Sequence, residues 1–168
     1  MIKYLNLGNE VDTVDSLNKI KSKKLNNYDI RISNSHITDL NNVIGRKVFK
    51  NDLVYISFET LWEIMQPVGS KGKHHHPHGL SPNDIYNALS TIKNSEDITI
   101  SYDNRYIIVT LATISDDANL VVIVSPDCSL LSNAKSKITK IITIYPKNNN
   151  KKWEFNGELL RATWILYH

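Results

Sequence analysis

Four segments in the second half of the chain, 98–102, 106–114, 120–125 and 138–145, are dominated by Ile, Val, Thr and Tyr. Branched and aromatic side chains of this kind suit a pleated surface, and short runs of them bounded by turn residues read as strands. Asp103-Asn104 and the stretch Asp116-Asp117-Ala118-Asn119 supply the turns, because Asn and Asp tolerate tight backbone geometry and hydrogen-bond to it locally. The segments therefore predict an antiparallel meander.

Before Asn94 the periodicity is different. Val11, Val14, Leu17 and Ile20 recur at helical spacing within 10–25, Leu61, Trp62 and Met65 within 58–65, and Ile85, Leu89 and Ile92 within 81–93, and such spacing predicts amphipathic helices. Ser35 is placed to cap a short helix through Asn42 that ends near Gly45, and 28–33 and 52–57 read as short strands. Helices first and sheet second indicate the α+β class. The expected architecture is a set of N-terminal helices packed on a C-terminal antiparallel β-sheet built from 97–145.

The chain of 168 residues is long enough for one proper core. Residues 1–150 are expected to form a single α+β domain, with 151–168 a basic and aromatic tail packing on it. A single cysteine, Cys128, excludes an intramolecular disulfide. No stretch has the length needed to span a bilayer and no secretion signal pattern is visible, so no membrane partner and a cytoplasmic location are expected. Net charge is only +3 with histidine neutral. The lysines are grouped, in 19–24 and again in 135–152, and such groups attract phosphate backbones or simply face water.

The chemistry concentrates in one loop. Lys71 and Lys73 lead into His74, His75, His76, Pro77, His78 and Gly79, which hold four of the six histidines. Imidazole titrates nearest neutral pH and is also a common metal ligand. Directly afterwards, Ser81-Pro82-Asn83-Asp84 carries a capping hydroxyl, a proline at the first helical position and a carboxylate at the third. The loop thus ends at the N-terminus of a well-specified helix, an end that suits an anion.

The block from this loop through the meander resembles the phage-associated branch of the barnase–EndoU–colicin–RelE-like nuclease superfamily. The resemblance rests on 73–80 followed by the Ser81–Ile85 helix start, on Asn94-Ser95-Glu96-Asp97-Ile98 before the first strand, on the hairpin 101–106, and on the closing strand Ile142-Thr143-Ile144-Tyr145-Pro146-Lys147. It covers roughly 28–147, and it departs from the pattern in having more histidines than relatives need. It implies a small RNase of the toxin or effector type that uses no metal and no cofactor, acts on RNA, and can have a cognate antitoxin or immunity protein.

Metal-free cleavage of RNA needs a base for the ribose 2′-OH, an acid for the leaving oxygen, and groups that stabilise the charged phosphorane. His76 and His78 are the candidates for acid–base work, since Pro77 restricts the backbone beside both. Lys73 and Arg105 are candidates for holding the phosphate, and Thr143 and Tyr145 for hydrogen-bonding its oxygens. Lys71, His75, Lys147 and the sheet-surface Tyr102 are candidate substrate contacts. Two rival readings remain at this level. One is a zinc or nickel site on the histidine loop, with Asp103 or Asp127 as a further ligand. The other is a non-catalytic RNA- or protein-binding accessory factor of a mobile element.

Overall fold

The computed structural model describes residues 1–69, 77–95, 97–101, 103–115, 118–148 and 157–161. Its helices are α1 (Glu10–Ser22), α2 (Leu40–Ile44), α3 (Phe58–Ile64) and α4 (Pro82–Thr91), and its strands are β1 (Tyr4–Asn6), β2 (Asp29–Ser33), β3 (Val54–Ser57), β4 (Asp97–Ser101), β5 (Tyr106–Ser115), β6 (Ala118–Ser129), β7 (Lys137–Asn148) and β8 (Gly157–Arg161). Short 3-10 turns at Ile37–Asp39 and Ile92–Asn94 lead into α2 and out of α4.

The described strands form one sheet in the order β1-β2-β3-β7-β6-β5-β4-β8. The expected antiparallel meander is its central part: β4 with β5, β5 with β6, and β6 with β7 all pair antiparallel. The sheet as a whole is mixed, which corrects the antiparallel expectation. β1 pairs parallel with β2, and β3 pairs parallel with β7 through Val54↔Thr139 and Ile56↔Ile141. Helices and strands are therefore not segregated along the chain; the N-terminal half supplies three strands to the same sheet. Parallel neighbours are joined by long crossovers rather than tight turns, so no local residue pattern announces the pairing. From the tail, 157–161 pairs with β4, and the rest of 151–168 lies outside the described residues.

The helices cover one face. Leu17 and Ile20 of α1, Leu61 and Ile64 of α3, and Ile85, Ala88 and Leu89 of α4 pack on Ile30, Ile32, Val54, Ile56, Ile108, Val122 and Ile144. On the opposite face Ile107, Val109 and Val121 form a second buried cluster with Ile123 and Tyr145. β6 is thus apolar on both faces, which explains its continuous valine and isoleucine run.

Helix limits follow capping chemistry. Asn9 rather than a residue of the 10–25 pattern caps α1 by accepting from the Asp12 amide, and the helix stops at Ser22, three residues short of the expected end. Val11 is exposed, and Thr13 takes its place on the buried face with its hydroxyl donated to the Asn6 carbonyl at 2.6 Å. The residue flanking the 3-10 turn is His36, but the Ser35 hydroxyl accepts from the Ile37 amide at 3.4 Å while donating to the Asp52 carbonyl at 2.9 Å. Gly45 ends α2 in the left-handed conformation at φ +84°, where glycine carries no Cβ penalty. The Ser81–Asp84 capping box at the start of α4 is formed in both directions.

Candidate active site

The end of the histidine loop is held by backbone contacts at the C-terminus of α3. The Gly79 amide donates to the Gln66 carbonyl at 2.8 Å and the Leu80 amide to the Ile64 carbonyl at 3.0 Å. Gly79 sits at φ +63°, a region that L side chains adopt only with strain. Leu80 is buried in the main core, and the capping box begins at the next residue: the Ser81 amide donates to Asp84 Oδ2 at 2.9 Å and the Asp84 amide to Ser81 Oγ at 3.1 Å. His78 is therefore one residue from a fixed backbone anchor and two from a buried side chain.

Across from it runs the C-terminal half of β7. Thr143, Tyr145 and Lys147 alternate along the strand and so share a face. Their register is set by a bulge: Ile123 pairs with Thr143 but Val124 pairs with Ile141, leaving Ile142 as the extra residue. The ring of His78 lies 6.0 Å from that of Tyr145, centroid to centroid, at an interplanar angle of 39°. Two candidates separated by 67 positions in the chain are thus neighbours in the fold.

Tyr145 pairs with Val121 and packs with the second apolar cluster. Burial raises its phenol above the ordinary value of 10.0, so at neutral pH the hydroxyl keeps its proton and can donate it to an anionic oxygen. The Thr143 hydroxyl is buried with no hydrogen-bond partner among the described residues. An orphaned buried hydroxyl costs on the order of 1–3 kcal/mol, and such an orphan calls for a functional or structural account. Here it stands two residues from Tyr145 on the same face.

Arg105 is not brought to this pair. It follows the β4–β5 turn, where it ion-pairs with Asp103 at 3.5 Å with both side chains exposed. The register rows Tyr106–Val124–Ile141 and Val109–Val121–Tyr145 put the Arg105 backbone about 16 Å from that of Tyr145, at ordinary strand rise and spacing. The Asp103 carboxyl, hydrogen-bonded by the Ser101 hydroxyl and facing the Arg105 guanidinium, is held below its usual range, so the turn is a self-contained charged unit. Lys147 is placed on the Tyr145 face, opposite Asn119 in the register. Lys71, Lys73, His74, His75, His76 and Tyr102 lie outside the described residues.

Gln66 and Gly79, which position His78 through the backbone, were not among the sequence candidates. Gly79 had a legible signal, a glycine wedged between a histidine and a helix cap; Gln66 had none, because it acts through its carbonyl. Among the described residues no three His, Cys, Asp or Glu side chains converge as a metal site would require, and no helix is long and apolar enough to cross a membrane. No protein-family model, no curated protein and no solved structure matches the chain.

Proposed function

We propose that this chain is a metal-independent endoribonuclease of the toxin or effector type, with His78 and Tyr145 at its catalytic centre. The contact of the two rings carries the reading. It joins an imidazole to a phenol whose pKa burial raises, beside a buried hydroxyl with no hydrogen-bond partner among the described residues.

The ribose 2′-OH attacks the adjacent phosphorus, forming the O2′–P bond and breaking the bond from phosphorus to the 5′-oxygen of the next nucleotide. One imidazole takes the 2′ proton and a second protonated group gives a proton to the departing 5′-oxygen. His78 fills one of these roles and His76 is the candidate for the other. The Tyr145 hydroxyl donates to a non-bridging phosphate oxygen as charge gathers there, with Thr143 beside it and Lys147 adding positive potential further along the strand. The products are a 2′,3′-cyclic phosphate and a 5′-hydroxyl. DNA resists, because it lacks the nucleophile. In this reading the protein acts in the cytoplasm and is held in check by a neutralising partner.

The test is incubation of the purified chain with a defined single-stranded RNA in excess EDTA. Cleavage to cyclic-phosphate ends that falls about 10²–10⁴-fold in His78→Ala is the expected result. Cleavage of the matching DNA, or activity that EDTA abolishes and a divalent ion restores, overturns the mechanism.

A further inference from the structure

A cavity of about 320 Å³ lies at the other end of β7 from Tyr145. Lys50, Asn51 and Tyr55 line one side and Pro126, Asp127 and Lys137 the other. Lys137 is eight positions before Tyr145 on the same strand, about 26 Å at ordinary rise.

Two structural devices build it. The first is a bulge in β6: Ser125 pairs with Lys140 and Cys128 with Ile138, so Pro126 and Asp127 span a step that needs one residue fewer. Bulges bend a strand and re-aim side chains, and they are enriched beside functional sites. The second is a clamped loop before β3. Asn41 Oδ1 accepts from the Val48 and Phe49 amides, both at 2.9 Å, and its Nδ2 donates to the Phe49 carbonyl at 2.8 Å. Asp52 Oδ1 accepts from the Thr38 amide at 3.0 Å and hydroxyl at 2.6 Å. The turn that supplies Thr38 carries two non-glycine residues with left-handed backbone, Asn34 at φ 62° and His36 at φ 52°, a strain that persists only where surrounding contacts enforce it. Lys50 and Asn51 are exposed on this fixed loop.

We propose that this cleft is a second nucleotide-binding site, separate from His78 and Tyr145, that takes one ribonucleotide unit of a single strand. Lys50 and Lys137 form no ion pair with any described residue and supply two positive charges for a phosphate. Asp127, beside Pro126 in the same lining, is an acceptor, the chemistry that suits a base amine such as cytosine N4 and disfavours a bare anion. The Tyr55 ring and Pro126 offer flat apolar surface for a base face. The volume falls at the lower end of small-ligand sites.

The full chain is titrated by amide NMR with each ribonucleoside 5′-monophosphate and, separately, with inorganic phosphate. Saturable shifts at 50–55 and 126–139 from at least one nucleotide, with a far weaker response to inorganic phosphate, are expected. The double variant Lys50→Gln/Lys137→Gln, whose exposed side chains leave the core untouched, weakens that nucleotide by about tenfold or more. Tyr55→Ala weakens the nucleotide and leaves the phosphate response as it was. Shifts confined to His78 and Tyr145, an equal response to inorganic phosphate, or undiminished binding by the double variant overturns the site. The readout needs no RNA cleavage: binding here by a chain that leaves RNA intact refutes the nuclease reading alone, and cleavage without these shifts refutes the cleft alone.

Discussion

Asp29 is the residue whose loss the fold should tolerate least among the charged positions described. It lies on β2 and reaches over β3 to Lys140 on β7, with Nζ to Oδ1 at 2.8 Å and side-chain exposures of 11% for the lysine and 6% for the aspartate. The approach neutralises both charges although its angles are not those of a hydrogen bond. The other carboxylate oxygen accepts the Leu131 amide at 2.6 Å, so one side chain ties the parallel β3–β7 joint to the segment between β6 and β7. Asp29→Ala leaves a nearly buried ammonium unpaired. Breaking such a pair costs about 3–5 kcal/mol, and the lower end applies because Lys140 retains some solvent and Leu131 is exposed. At about 3 kcal/mol a chain of this size melts about 6–12 °C lower. Urea and thermal unfolding followed by circular dichroism measure both quantities. Asp29→Ala/Lys140→Met removes both charges and should recover most of the loss, to within about 1 kcal/mol of the parent. A single variant within about 0.5 kcal/mol of the parent, or a double variant no better than the single one, refutes the assignment of an uncompensated buried charge.

Tyr145→Phe should lower RNA cleavage at least about tenfold while leaving the melting temperature nearly unchanged, since it removes only the hydroxyl; equal losses of both would make Tyr145 a packing residue. Gly79→Ala should cost about 1–2 kcal/mol, because φ +63° strains an L residue, and should reduce cleavage by displacing His78; a fully active, equally stable variant would show that the turn is not constrained. The Asp52 carboxyl is pushed up by burial, but the Thr38 hydrogen bonds and the charge of His36 outweigh this and leave it below the ordinary 3.8. Its contribution to stability is therefore present above pH 3.8 and lost as pH falls through the lowered value; in unfolding curves from pH 5 to pH 2, Asp52→Asn should flatten this part of the decline, and parallel curves for parent and variant would refute it. Expression in a bacterial cytoplasm without a partner should arrest growth, and His78→Ala should relieve the arrest; arrest that persists would separate toxicity from this site.

The meander and the start of α4 were legible because their determinants are local. Runs of β-branched and aromatic residues bounded by turn sequences leave few alternatives to β5, β6 and β7, and the hydroxyl, proline and carboxylate of 81–84 state the cap in four consecutive residues. The shared face of Thr143 and Tyr145 also followed from strand alternation. Three things were decided only by tertiary structure. The parallel joints of β1 with β2 and β3 with β7 depend on contacts between segments up to 85 positions apart, which no turn or periodicity records. The Ile142 and Pro126–Asp127 bulges arise from the fit of two strands to each other rather than from either alone. The meeting of His78 with Tyr145, and the separation of both from Arg105, depend on how far along β7 the loop comes to rest. The histidine and the tyrosine are written in the chain; the register of β7, fixed by burial of Val121, Val122 and Ile144 on the sheet's two faces, determines that they meet.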